Sequence, residues 1–330
     1  SESFAEDNAA IDVHYAAGQW LGVPTNTQEI YTRYISDTSW DALTFASAEY
    51  RPDLLVKIYA IGGQVMAFGS SSTEVFALTG VPANPLEPLG LKWPIGCMAR
   101  DSVAEVGGAL CMVSSDAQVY RFSPQPQVIS DPGLTEQLRQ AQPNTFRAWS
   151  YTLDGHAFYI LSCSEGTWAW DGALWSQFKS KDYAYWRAHI GAQVGTRILA
   201  ADAVPGSGKI FRLSPDALTE DGEGITREFT AWLEIKEGQI VVDNLVVNCA
   251  VGEGPRSGQG SAPILQLRCS RDGGKTFSGW REAAMPLTGD YSRQVRLNRW
   301  GTFKAPGALF QGRISDPVPV RVTDIRANVP

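Results

Sequence analysis

The residues best placed by type and spacing to do chemistry lie late in the chain, in Ser270-Arg271-Asp272-Gly273-Gly274-Lys275-Thr276-Phe277. They fit the pattern S-x-D-x-G-x-T-aromatic of an Asp-box, and the physics of that pattern is the physics of a turn. The Asp272 carboxylate is expected to accept backbone N–H groups, the glycines to allow positive φ, and Phe277 to pack beneath the hairpin. Ser270, Asp272, Gly274, Thr276 and Phe277 are therefore read as a structural motif. Other reactive groups are scattered. Glycoside hydrolysis needs two facing carboxylates, or a tyrosine–glutamate pair with arginines that clamp an acidic sugar. Glu74, Glu105, Asp171 and Glu234 have no paired context, and Arg293, Arg296 and Arg299 alternate too closely along one segment to be a clamp assembled from separate units. His14, His156 and His189 are isolated; His156, in an Asp-Gly-His turn before an apolar strand, reads as an oriented structural histidine. No His-Glu-x-x-His, Gly-x-Ser-x-Gly or P-loop is present. No catalytic residue, cofactor or metal site is assigned.

Trp168-Ala169-Trp170-Asp171-Gly172 with Trp175 offers two readings: a platform for stacking a sugar, or a tight Asp-Gly hairpin whose tryptophans fill the space between packed sheets. The second is preferred. The five cysteines, Cys97, Cys111, Cys163, Cys249 and Cys269, are odd in number and lack metal-type spacing, so they are expected to be reduced, buried thiols of a cytoplasm-made chain.

The elements that must hold these residues are strands. Of the 330 residues, 44% are hydrophobic and 19% charged, which is globular; 32 Gly, 19 Pro and 11 Trp favour many short strands joined by turns. The net charge of −7 disfavours a protein that grips phosphates all round. No apolar run approaches the roughly 20 residues of a membrane helix. The start, Ser1-Glu2-Ser3, resembles no signal peptide, and a chain beginning without Met is expected to be a piece of a longer product or a processed one.

A repeat organises the middle of the chain. Gly62-Gly63, Gly107-Gly108, Asp154-Gly155 and Gly195 each precede a short apolar strand, a small polar turn and a second strand carrying an aromatic. Gly63, Gly108, Gly155 and Gly195 stand 45, 47 and 40 residues apart, the length of a four-stranded propeller blade. The apolar strand of each pair is read as the inner strand of its sheet, and the sheets as stacked on one another, since none can bury both faces alone. The fold class expected is all-β, β-propeller-like, with about six blades in a range of five to seven and few short helices. One helix is predicted from Asp131 to Gln142, capped by Asp131, started by Pro132 and anchored by Leu134 and Leu138. The divisions expected are an N-terminal segment over 1–35, too weakly patterned to close a blade, blades over 36–248, and a C-terminal β segment over 249–330 that completes the propeller. Within this plan 225–235, 239–247 and 264–269 read as strands and 252–262 as a flexible loop.

The chain also resembles the packaged-DNA stabilisation proteins of short-tailed bacteriophages, the tail hub or nozzle proteins. The likeness runs in order through Trp40-Asp-Ala-Leu-Thr-Phe-Ala-Ser-Ala-Glu49, Pro52-Asp53, Phe68-Gly-Ser-Ser-Ser-Thr-Glu74, Leu78-Thr-Gly80, Gly96-Cys-Met-Ala99, Ser102-Val103, Gly155-His156-Ala-Phe158-Tyr159 and Thr167-Trp168-Ala-Trp170-Asp171. It ends in the Asp-box and Arg313-Ile-Ser-Asp-Pro317. The resemblance implies a structural virion subunit of the tail, made in the bacterial host cytoplasm. It also implies a ring, typically a hexamer, docked on portal and adaptor proteins, with packaged double-stranded DNA passing through its lumen without sequence-specific contacts. No enzyme activity, cofactor or membrane is implied. Six copies at −7 each carry about −42, so an acidic lumen that repels phosphate is expected. The alternative is a sialidase-like or lectin-like propeller acting on host glycans.

Overall fold

The computed structural model describes residues 9–81, 84–250, 254–290 and 294–328, and the chain divides into two compact units, Ser1–Leu213 and Ser214–Pro330. The first unit is a series of antiparallel meanders. Its first sheet is β1 (Ala10–Ala16), β2 (Gln19–Pro24), β3 (Glu29–Tyr34) and β4 (Phe45–Ser47). The second is β5 (Leu55–Ile61), β6 (Gln64–Gly69), β7 (Thr73–Leu78) and β8 (Leu86–Trp93); the third is β9 (Ala104–Val106), β10 (Ala109–Val113), β11 (Val119–Phe122) and β12 (Pro126–Val128). The fourth is β13 (Arg147–Leu153), β14 (His156–Cys163), β15 (Gly166–Trp170) and β16 (Trp175–Phe178), and the fifth is β17 (Ala188–Val194), β18 (Arg197–Asp202) and β19 (Ile210–Leu213). Five blade-type sheets, four of them four-stranded, thus lie among the described residues, at the low end of the expected range.

The repeating glycines mark the turn between the first and second strands of each sheet. Gly62-Gly63 and Gly107-Gly108 both hold positive φ, as a two-residue I′ hairpin requires, and Asp154-Gly155 does the same with an aspartate in the first place. Ala17-Gly18 is a further copy of this turn, at φ 50° and 81°, which the sequence reading missed because alanine stands where glycine was sought. Residues 10–47 therefore form a complete sheet, and the expected separate segment over 1–35 is corrected. The apolar strands β6, β10 and β14 lie inside their sheets and are packed on both faces by neighbouring sheets, as expected; each is second in its sheet, while the first strands β1 and β5, β9 and β13, and β13 and β17 approach one another along the inner edge.

Stacking follows from the twofold alternation of side chains along a strand. On β6, Val65 and Ala67 face the first sheet, packing with Leu21, Val23 and Ile30, whereas Met66 and Phe68 face the third, packing with Leu110, Met112 and Phe122. On β10, Cys111 and Val113 turn the other way, towards Tyr159, Leu161, Trp168 and Trp170 of the fourth sheet. On β14, Ile160 joins Trp149, Ile198 and Ala200 between the fourth and fifth sheets. The helix α1 (Pro132–Gln140) covers one such layer with Leu134 and Leu138, and Asp131 caps it by accepting the Leu134 N–H at 2.8 Å.

The second unit is built differently. A short hairpin, β20 (Thr219–Glu220) with β21 (Glu223–Gly224), precedes β22 (Arg227–Glu234), β23 (Gln239–Ala250), β24 (Ile264–Ser270), β25 (Arg281–Ala284), β26 (Val295–Lys304), β27 (Gly307–Ile314) and β28 (Arg321–Asn328). The orders are β22-β27-β24-β25 and β26-β23-β28, and the inward side chains of both sheets share one core of Val242, Leu245, Val247, Leu265, Leu267, Phe303 and Phe310, which makes a β-sandwich. Gly312 faces Phe229 across the ladder, and a Cβ there would lie 2.2 Å from the Phe229 ring. The expected division at 248/249 falls inside β23; the repeat pattern changes in the sequence after about residue 225, close to the start of β22, but the sequence reading counts the strands that follow with the blades.

All five cysteines are free thiols, four buried and Cys249 half-buried. Burial pushes the Cys97 and Cys111 thiols up to about 12. The unfolded chain loses these protons near pH 9 and the folded chain holds them, so stability falls as pH rises from about 9 towards 12. Thermal melts followed by circular dichroism are expected to show that alkaline loss, and Cys97→Ala with Cys111→Ala to shrink it. Phe68→Ala, which empties a fully buried site between two sheets, is expected to cost about 3–5 kcal/mol in urea unfolding at pH 7.

Candidate functional site

The Asp-box joins β24 to β25. Ser270 Oγ donates to Asp272 Oδ1 at 2.7 Å and accepts the Gly274 N–H at 2.8 Å. Asp272 accepts the Thr276 hydroxyl at 2.6 Å and the Thr276 N–H at 2.9 Å. Those donors, the Thr276 hydroxyl first, hold the Asp272 carboxyl well below the usual carboxylate range. Gly273 and Gly274 turn at φ 73° and 97°.

The loop returns two aromatic rings to the outer face of the sheet. Phe277 lies 4.3 Å from the Arg268 guanidinium, Arg268 is 4.4 Å from the Trp280 ring, and Arg313 stacks on Trp280 at 4.2 Å. Phe277, expected to pack beneath the hairpin, stacks on the Arg268 cation. Each arginine is also fixed from its neighbouring strand: Arg268 Nε donates to Gln311 at 2.8 Å and Arg313 Nε to Gln266 at 2.5 Å. The ladder Phe277–Arg268–Trp280–Arg313 escaped the sequence reading because β24 and β27, adjacent in the sheet, are separated by two strands in the chain. The motif's polar groups bond to one another, and what they accomplish is the fastening of a loop.

In the first unit a groove of about 560 Å³ is lined by Arg121, Gln127, His156, Trp170 and Asp171 among others. It does not present an open sugar platform. Trp168 and Trp170 are 7% exposed and belong to the layer between the third and fourth sheets, and Trp175 Nε1 donates to the Ile129 carbonyl at 2.6 Å. Asp171 is engaged in its own turn, accepting the Leu174 and Ala173 N–H groups at 2.8 and 2.9 Å, which lowers its pKa. His156 is exposed at the start of β14, directly after the Asp154-Gly155 turn.

The remaining acids also have structural duties. Glu74 accepts the Tyr50 N–H at 2.6 Å, and burial first, with the Glu105 charge nearby, raises the pKa of Tyr59. Along the inner edge, β1 and β5 are tied by Asp12–Lys57 at 2.8 Å and by His14 against the Tyr59 ring at 4.9 Å, and Asp101, in the helical turn before β9, pairs with Arg147 of β13 at 3.1 Å. Desolvation lowers the pKa of both His14 and His189 there. Arg296 and Arg299 stand on β26, and Arg293 lies outside the described residues. Among the described residues no cluster of three His, Cys, Asp or Glu side chains is placed to hold a metal, and no helix is long and apolar enough to cross a membrane.

The propeller-type unit has a counterpart among known families. The family model for phage stabilisation proteins, described as Bacteriophage P22 Gp10, beta-propeller, matches residues 5–215, nearly the whole of that unit. The chain belongs to this family. It is a phage structural protein, of the virion, from the packaged-DNA stabilisation family. No curated protein matches the chain in sequence. Similar solved structures include an exo-beta-1,3-galactanase from Phanerochaete chrysosporium, at 10% identity over 95% of each chain with a TM-score of 0.34. Kluyveromyces lactis Hsv2 shares 10% identity over 49% of this chain and 58% of its own, with a TM-score of 0.29. PorZ, a surface component of the type-IX secretion system of Porphyromonas gingivalis, shares 10% over 83% of this chain and 33% of its own, with a TM-score of 0.33. Likeness of that degree carries no argument about function.

Asp272→Asn removes the charge that gathers the turn. It is expected to lower the thermal midpoint at pH 7 and to flatten the loss of stability on acidification below about pH 3.8, where the unfolded carboxyl takes up its proton. Melting curves of both proteins between pH 2 and 7 check this.

Proposed function

We propose that this stabilisation-family protein is a tail hub or nozzle subunit, which closes the portal channel of the virion and keeps packaged DNA inside. Its work is mechanical, without catalysis. It acts as one member of a ring, a hexamer in the virion, against portal, adaptor and other tail proteins. The observation that carries the reading is the family match over 5–215, which falls on the stacked-sheet unit. The arrangement of polar groups supports it, since Asp272, Asp171 and Glu74 are each occupied by hydrogen bonds that hold the fold together.

A uniformly acidic lumen no longer follows from net charge. The first unit has 21 acidic and 14 basic residues and carries the whole −7, while the second has 14 of each and is neutral.

A phage lacking this chain is expected to fill its heads and then lose the DNA, giving particles that nuclease digests; supplying the chain in trans restores retention. Heads that keep their DNA without it refute the proposal. Hydrolysis of a sialoside by the purified chain points instead to the glycan-directed reading.

A further inference from the structure

The neutrality of the second unit conceals a segregation of charge. From Gly254 to the end of the chain, twelve Lys and Arg residues face five Asp and Glu. Part of this excess is displayed on the outer face of the sheet β26-β23-β28. Strand alternation sends Val242, Leu245, Val247, Val295, Leu297, Trp300 and Phe303 into the core, and the intervening positions point away from it. On β26 these are Arg296, Asn298, Arg299, Thr302 and Lys304, all exposed. On β23 they are Val241, Asp243, Asn244, Val246 and Asn248, and on β28 they are Asp324, Arg326 and Asn328.

Pairing across the three strands sets these side chains in rows. Asn298, Asn244 and Asn328 form one, and Arg296, Val246 and Arg326 the next. The two arginines of that row are two strand spacings apart, about 9.6 Å, and Val246 between them is only 5% exposed. Asp324 is already neutralised, accepting from Asn248 and Arg326. Asp243 accepts from Asn244. Arg296, Arg299 and Lys304 make no ion pair among the described residues, so three exposed cations stand on one strand without a carboxylate partner.

We infer that this face binds the phosphodiester backbone of duplex DNA without regard to sequence. Arginine, lysine, asparagine, glutamine and threonine are the side chains that satisfy phosphate and sugar oxygens, and the face is made mostly of these. A protein partner is the poorer fit, because stable protein interfaces need buried aromatic or aliphatic anchors, and Val241 is the one exposed large apolar residue on this face. The inference deepens the proposed function by naming the surface through which the chain meets packaged DNA, and it rests on that reading for the choice of duplex DNA over other polyanions. A ring multiplies a contact that is weak in a single copy.

The test uses the full chain and a fluorescent 30-base-pair duplex of arbitrary sequence, with anisotropy read between 50 and 200 mM NaCl. Three phosphate contacts give a slope of log K on log salt of about −2.7, or roughly a forty-fold loss of affinity across that range. The triple variant Arg296→Gln, Arg299→Gln, Lys304→Gln is expected to lose that slope and at least ten-fold in affinity at 50 mM. A control variant, Arg139→Gln with Lys179→Gln in the first unit, is expected to bind as the parent does. Arg296, Arg299 and Lys304 are exposed and make no ion pair among the described residues, Arg139 pairs only with Glu136 on the exposed face of α1, and an unchanged circular-dichroism melt verifies that each variant is folded. Binding that the triple variant retains, or no salt-dependent binding by the parent, overturns the inference. If the chain still restores DNA retention to deficient phage while showing no such binding, this inference alone fails and the tail reading stands.

Discussion

The first unit depends on one constraint: the second strand of each middle sheet is apolar on both sides. Val65 and Ala67 look one way and Met66 and Phe68 the other, and Leu110 and Met112 against Cys111 and Val113 repeat the arrangement. A sheet of that kind has no solvent face, so its stability is inseparable from the sheet before it and the sheet after it. Each buried large side chain contributes about 1.5–3 kcal/mol, and every such contribution needs a neighbour at the correct spacing. Serial stacking is the arrangement that supplies two apolar neighbours to every middle sheet, and the hairpin turns, the cap on α1 and the polar ties along the inner edge are fitted around it.

That requirement explains what the sequence disclosed and what it withheld. The turns were legible because Gly63, Gly108 and Gly155 sit where the backbone must take positive φ, a demand made locally. The first copy was hidden because Ala17 takes the same φ without announcing it, and because β1 alternates between exposed and half-buried positions and carries little apolar signal. The sandwiched strands were legible because burial on both faces leaves an unbroken apolar run, as in β6 and β10. The end of the blade series at Leu213 was only half visible: the repeat pattern changes after about residue 225, but sandwich strands and blade strands share the same alternation and differ in which strand they pair with, so the sequence reading still counts 225–248 with the blades.

The Asp-box shows the same boundary between local and distant information. Ser270, Asp272, Gly274 and Thr276 bond within five residues of one another, so their roles could be written from the motif. Phe277 and Trp280 act on Arg268 and Arg313, and nothing in the spacing of those residues says that β24 and β27 are adjacent. Net charge was misleading in a third way. A sum over the chain cannot reveal that one unit holds the entire acidic excess while the other presents arginines on one face of a sheet.

The two units also differ in how far along the chain their partners lie. In the first, each strand pairs with the one just made, so a sheet can close as soon as its last strand has left the ribosome. In the second, Arg227 at the start of β22 is opposite Ile314 near the end of β27. Loop closure over such a separation is slow compared with hairpin formation. The meander unit is thus suited to assemble during synthesis, sheet upon sheet, while the sandwich waits until β27 and β28 have been made. Until then the waiting strands expose unpaired edges, which makes the second unit the stretch where nascent chains would aggregate first.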